Sequence, residues 1–290
     1  MSFDAVLDSQ KELLKLAGEL CDSLGPECSR NELFHYTDLQ GFVGIVTTRS
    51  LWASDMLCLE DASEATYAYR VIASVLSRDF PSIARTHRDE FLKTLTKGNF
   101  RMYTPFVACF CEEGDLLSQW RGYGGRGEGL ALEFKVSWLH SLRRRGFLLR
   151  RVIYRRNLQR AFISKYVQGA LDLFTHHHFS GDDAKWFWGC AAVAASDLIV
   201  TIKDPAFKGE REWRLFNPTI IGGKYFKYRR SGSRLVPYVT VPIKREAIVG
   251  VIRGPHFAGT DSRGIEHALL YNEFTGASNR VRDSKVPIRR

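Results

Sequence analysis

The stretch from Phe106 to Phe134, FVACFCEEGDLLSQWRGYGGRGEGLALEF, constrains the fold of this chain more than any other. It opens with six apolar residues, Phe106 to Cys111, of the length and type of a buried strand. It closes with a second apolar run, Gly129 to Phe134. Between them lie acids, then Ser118-Gln119-Trp120-Arg121-Gly122-Tyr123, then glycines at 124, 125, 127 and 129. A polar, glycine-rich loop held on two strands has the form of a binding site. It equally has the form of a long hairpin connection anchored by Trp120. Its glycines read as loop flexibility, and its two strands as the centre of a sheet.

Short strands recur along the remaining sequence with helical segments inserted. NELFHYT (31–37), LWAS (51–54), LLRRVIY (148–154), EWRLF (212–216), Val236 to Pro242, Ile248 to Arg253 and KVPIR (285–289) read as strands. Residues 4–24, 39–50, 64–79, 81–97, 158–175 and 184–202 carry apolar residues at helical spacing. No repeat or low-complexity linker divides the chain. The pattern predicts a single mixed α+β domain over residues 31–290 with central, mostly antiparallel sheets flanked by inserted helices, and an N-terminal helix within 1–30. That leading helix lies outside the motifs and is expected to pack across the domain or to mediate assembly.

Composition bounds the function classes. The chain has 290 residues, 44% hydrophobic, enough for a full core. A net charge of +10 favours an anionic partner, nucleic acid being the commonest. The six cysteines contain no CxxC pair, so neither a zinc site nor a disulfide framework is indicated. The start, MSFDAVLDSQKELL, lacks the form of a signal peptide, and no apolar run approaches the roughly 18 residues of a membrane span. These features predict a soluble, reduced, cytoplasmic protein with no membrane partner. The His176-His177-His178 triplet reads as a solvated loop, and no metal is expected. GxGxxG, GxSxG, HExxH and P-loop patterns are absent.

Four polar stations stand at strand ends: His35-Tyr36-Thr37, Trp52 with Ser54, the Gln119-Trp120-Arg121-Tyr123 loop, and Glu212. Each alone has a structural explanation, for instance a Trp anchoring a core. Together they suit a nucleotide site. The histidine donates to a ribose hydroxyl, the rings stack on a flat heterocycle, the arginine meets a pyrophosphate, and the glutamate accepts a hydrogen bond or proton.

The motifs LFHYTDLQGFVGIVTTRSLWAS, LEDASE, SQWRGY, FKGEREWRL, VIRGP and SKVPIR, in this order over roughly residues 32–290, resemble a widespread bacterial domain family of unknown function. One departure is Leu59-Glu60-Asp61, where the family commonly has Leu-Asn-Asp, which leaves the role of position 60 open. The order of stations is in turn similar to that of the ADP-ribosyltransferase superfamily, especially its DNA-modifying branch. That resemblance implies a split sheet and NAD as the substrate. It implies that His35 and Thr37, with Tyr36 between them, hold the nicotinamide ribose and that Trp52 or Ser54 lines the nicotinamide pocket. Gln119, Arg121 and Tyr123 would meet phosphates or the acceptor. Glu212 would stabilise the oxocarbenium-like state or act as base. Glu210, expected on the same strand face, would recognise the acceptor.

The basic segment 143–160 and the aromatic-basic segment 224–234, with Lys224, Lys227, Arg229 and Arg230, would hold a nucleic-acid or protein acceptor. The setting implied is a toxin or antiphage-defence effector with an antitoxin partner. Two other readings remain: a nucleic-acid-binding module without catalysis, and an NAD glycohydrolase in which water is the acceptor.

Overall fold

The computed structural model describes residues 3–24, 28–58, 63–97, 105–217, 226–231, 233–257 and 262–287. Among these residues ten strands form one mixed sheet with eleven α-helices around it, an α+β architecture. The strand β1 (Glu32–Thr37) does not leave the Phe106–Phe134 stretch as a hairpin but threads between its two strands, β3 (Phe106–Cys111) and β4 (Leu130–Lys135). Against β4 it pairs at six positions, from Glu32↔Lys135 to Thr37↔Leu130. Against β3 it pairs only at Phe34↔Cys111.

The opposite edge of β3 is fully occupied by β6 (Glu212–Asn217), which also pairs with β5 (Leu148–Arg151). The remaining part of the β1 edge of β3 is taken by β2 (Ser50–Asp55), at Ser54↔Val107 and Asp55↔Phe106. From β2 the sheet continues to β8 (Arg234–Pro242) and β7 (Lys227–Ser231). From β4 it continues to β9 (Ile248–Arg253) and β10 (Val281–Asp283), whose pairing is parallel. Three antiparallel blades therefore converge on β3, and the sheet is divided between β1 and β2.

Two layers of helices cover the sheet because alternate residues of its strands are apolar on both faces. On one face lie α2 (Leu39–Thr48), α6 (Val136–Ser141), α10 (Ser262–Tyr271) and α11 (Thr275–Ser278). Phe42, Trp138, Ile265 and Ala277 bury there against Leu33, Phe110, Leu132, Phe134 and Leu215. On the other face, α1 (Phe3–Leu24), α3 (Ser63–Arg78), α4 (Arg85–Lys97), α7 (Arg156–His177), α8 (Gly181–Ala194) and α9 (Ser196–Thr201) form a helical layer. Its core includes Leu13, Ala17, Ile72, Phe91, Phe162, Tyr166 and Trp188, with Val107 and Phe216 from the sheet. A side chain of this type contributes about 1.5–3 kcal/mol on full burial. The N-terminal helix is thus part of the domain core.

Several boundaries differ from the sequence expectation. The segment 184–202 is two helices, α8 and α9, meeting at Ala195. His176 and His177 belong to the last turn of α7, which His178 ends in the left-handed conformation (φ 53°), and His177 Nε2 lies 3.1 Å from Glu12. The histidines cap a helix rather than occupy a loop. The expected strand at 285–289 is displaced to β10, and residues 284–287 are irregular. Among the described residues no helix is long and apolar enough to cross a membrane, and no group of three His, Cys, Asp or Glu is placed to hold a metal ion.

Candidate active site

The division of the sheet leaves Cys109 of β3 between the two bridging points, with neither β1 nor β2 registered against it. Its carbonyl is met instead by the side chain of His35, whose Nδ1 donates at 2.8 Å. A carbonyl oxygen only accepts, so the proton of the neutral imidazole sits on Nδ1 and the lone pair on Nε2. Among the described residues Nε2 makes no hydrogen bond, and His35 is only half-buried. Burial lowers its pKa below the ordinary value, the Cys109 carbonyl opposes this, and the positive field of Arg229 adds to the lowering. Phe110 and Phe134 hold the ring, with centroids at 5.7 and 6.5 Å. The expectation that His35 donates to a ribose hydroxyl is therefore reversed: Nε2 is an acceptor.

The second station is a four-membered ionic cluster. Glu212 opens β6 opposite Cys111. Arg214 grips it in bidentate fashion, Nε to Oε1 at 2.8 Å and Nη2 to Oε2 at 3.0 Å, and Lys203 Nζ reaches Oε2 at 3.0 Å. Lys203 also binds Glu210. Lys203, Glu212 and Arg214 are 2%, 5% and 1% exposed, so the charges have little water and depend on each other. Burial alone would raise the Glu212 pKa, but Arg214 and Lys203 outweigh it and hold the group at about 2. The carboxylate is ionised at any physiological pH.

The thiol of Cys109 lies in the negative field of Glu212, and burial first of all pushes that thiol well above the ordinary cysteine range. Cys109 thus lies between the two stations: its carbonyl meets His35, and its neighbour on β6 is Arg214, which holds Glu212. Tyr154 accepts the Glu212 backbone N–H at 3.1 Å. The Tyr123 phenol is raised by burial, with the negative field of Glu210 next in weight, which places the end of the Gln119–Tyr123 loop beside the same carboxylates. Glu210 is not on the strand face with Glu212. It ends a short 3-10 turn, Pro205–Glu210, and Arg211 reverses the chain in the left-handed region (φ 47°) before β6 begins. The two carboxylates meet through Lys203.

Around the notch, Trp52 stacks on Tyr238 at 4.7 Å, and Ser54 Oγ accepts from Arg229 at 3.2 Å. Lys227 and Arg230 are exposed on β7, while Lys224 lies outside the described residues. Tyr36 points to the face opposite His35. Its hydroxyl donates to the Glu113 carbonyl at 2.9 Å and accepts from Leu116 N at 3.0 Å, and its ring meets Trp120 edge-on at 4.8 Å. Trp120 is fully buried with Nε1 on Asp115 at 2.8 Å, and Asp115 also binds Ser284 and the Lys285 N–H. Tyr36 and Trp120 are therefore anchors of the loop.

Gln119 is buried beside them, Arg121 is exposed on α5 (Leu117–Gly122), and Thr37 ends β1. Gly124 and Gly129 serve close packing: a Cβ at Gly124 would meet the Trp120 ring, and one at Gly129 would collide with the Thr37 carbonyl and the Gly124 backbone.

A family model described as a protein of unknown function (DUF2971) matches residues 119–215. A DUF2971 domain is found there. No curated protein and no solved structure matches the chain. The DUF2971 segment contains Tyr123, Tyr154, Lys203, Glu210, Glu212 and Arg214, whereas His35, Trp52 and Ser54 precede it and Arg229 follows it. Lys203 escaped the sequence reading, in which Arg214 counts only as an ion-pair partner of Glu212 on an edge strand. The available signal was a lone Lys closing the apolar run Leu198–Ile202 and an Arg two residues after Glu212, on the same strand face.

Proposed function

We propose that the chain is an NAD-consuming ADP-ribosyltransferase acting on a nucleic-acid acceptor. One arrangement carries the reading: where the sheet divides, a histidine of fixed tautomer meets the β3 backbone at Cys109, and an ionised glutamate opens β6 on the other edge of the same strand. In the reaction, the bond between the ribose C1′ and nicotinamide breaks, and its electron pair neutralises the pyridinium nitrogen. Positive charge develops on the ribose. A carboxylate with a pKa of about 2 is a poor general base but remains negative, so Glu212 acts electrostatically on that charge. His35 Nε2 accepts from a ribose hydroxyl. The stacked Trp52 and Tyr238 offer a platform for a heterocycle, and Arg229 beside Ser54 offers a donor to phosphate. The acceptor attacks C1′ and loses its proton to Glu210 or solvent.

An enzyme that drains NAD and modifies nucleic acid harms its host cell, which motivates placing it among toxins or antiphage effectors with a cognate antitoxin. The unpaired state of all six cysteines supports a cytoplasmic setting. The test is incubation of the full chain with adenylate-labelled NAD, alone and with single-stranded DNA, duplex DNA, RNA or cell lysate, following nicotinamide release and label transfer. Transfer to nucleic acid that is lost in His35→Ala supports the reading. Release without transfer makes the protein a glycohydrolase, and no release under any condition overturns the reading.

A further inference from the structure

A cleft of about 860 Å³ opens between β5, the start of α7 and the 3-10 turn Pro205–Glu210. Its charged lining is Arg150, Arg151, Arg155, Arg156, Lys208 and Arg211, with no carboxylate among the lining residues. Three of these cations hold acids outside the lining: Arg150 with Asp22 at 2.6 Å, Arg151 with Glu112 at 3.0 Å and Arg211 with Glu113 at 3.0 Å. Among the described residues Arg155, Arg156 and Lys208 have no carboxylate partner. Asn157 and Leu158, in the first turn of the 22-residue α7, also line the cleft. That turn carries no acid, and its N-cap residue, Arg155, makes no side-chain capping bond, so the positive end of the helix adds to the cationic wall.

Two further cations share the acids that the lining arginines hold. Arg143 shares Asp22 with Arg150, and Arg30 shares Glu113 with Arg211. Cations in this number match a series of phosphates better than one phosphate. The floor is apolar, with Val152, Ile153 and Pro205, and Tyr154 is its half-buried aromatic. That suits the sugar and base of a nucleotide unit. The size falls in the range of roughly 300–1,000 Å³ that takes small ligands, the scale of a nucleotide unit.

The cleft adjoins the catalytic cluster. Tyr154 lines it and holds the backbone N–H of Glu212, and Arg211 stands between Glu210 and Glu212 in the chain. We propose that this cleft binds the phosphodiester backbone of a single-stranded nucleic acid and presents its bases to Glu210. The presentation rests on the ADP-ribosyltransferase reading; the binding does not, because it needs no NAD.

The test is fluorescence anisotropy of labelled single-stranded DNA and RNA oligonucleotides with the full chain across a salt series. Duplex DNA, ADP and inorganic phosphate serve as competitors. Each phosphate contact on a single strand contributes about 0.7 to the slope of log affinity against log salt. Arg155→Ala/Lys208→Ala therefore lowers the slope by about 1.4, which weakens binding roughly 25-fold at 0.1 M salt. Lys244→Ala, an exposed change at the turn before β9, leaves binding unaltered.

Binding that is lost in Lys227→Ala/Arg230→Ala but kept in the cleft variant overturns the proposal, as does absence of oligonucleotide binding. Competition by inorganic phosphate or ADP as effective as by a strand also overturns it. Nicotinamide release measured on the same preparations reads the enzymatic proposal separately. Cleft-dependent binding without NAD turnover would sink that proposal and leave this one standing.

Discussion

Replacing Glu212 by Gln removes one charge from a cluster in which Lys203 and Arg214 are almost wholly buried. Gln keeps the shape and part of the hydrogen bonding, so the change isolates the charge. Two independent estimates give its cost. Holding a carboxyl at about 2 instead of its ordinary 4.5 is worth about 3 kcal/mol at neutral pH. Breaking a buried ion pair by removing one partner costs roughly 3–5 kcal/mol. We expect Glu212→Gln to lose about 3 kcal/mol at pH 7.

Because the folded pKa is depressed, this stabilisation is present above about 4.5 and is lost as pH falls toward about 2. About 2 kcal/mol of the difference between the two proteins should be gone by pH 3, where the linkage integral between those pKa values has mostly closed. Urea unfolding of both proteins at pH 7, 5, 4 and 3 measures it, with other titrating groups cancelling in the comparison. A variant as stable as the wild type at pH 7, or a difference independent of pH, would refute the reasoning. The measurement also guards the enzymatic test, since loss of activity in Glu212→Gln is informative only in the folded fraction.

Gly129→Ala forces a methyl against the Thr37 carbonyl and the Gly124 backbone and should cost about 1–3 kcal/mol. Gly122→Ala, with open space at its Cβ, should be neutral or slightly stabilising; equal denaturant midpoints for the two variants would contradict the packing described for the loop. Trp120→Ala empties a fully buried site and removes one of the three hydrogen bonds to Asp115, for an expected loss of about 3–5 kcal/mol by urea unfolding, and a loss under 1 kcal/mol would show that Trp120 is not an anchor. His35 should titrate at a lower pH than a free imidazole, and its neutral form should carry the proton on Nδ1. Long-range ¹H–¹⁵N correlation reads this directly, and an Nε2–H tautomer would remove the proposed acceptor.

The elements were legible where local chemistry decides them. Asp38 caps α2 by accepting from Gly41 N at 2.6 Å, and the apolar runs 106–111 and 130–135 become strands because both faces are covered. Individual neighbours of β3 were legible as residue types: His35 meets its Cys109 carbonyl, and Ser54 and Glu212 pair with it at Val107 and Cys111. Their roles were not. Tyr36 and Trp120 look like ligand-binding aromatics in the sequence, and only their partners, Glu113, Leu116 and Asp115, reveal them as anchors. Spacing put Glu210 on a strand with Glu212, whereas the left-handed Arg211 breaks the strand and Lys203 makes the link.

By itself the sequence determined an α+β chain, the positions of most of its strands and an excess of positive charge, because periodicity and composition are properties of neighbours along the chain. The tertiary structure decided that β1 threads between β3 and β4, that Cys109 is left between two blades, and that six cations line one cleft. Those facts depend on which edges pair and which charges meet across long separations in the chain. Hydrogen-bond geometry and desolvation fix such pairings, and they act only once the chain has closed on itself.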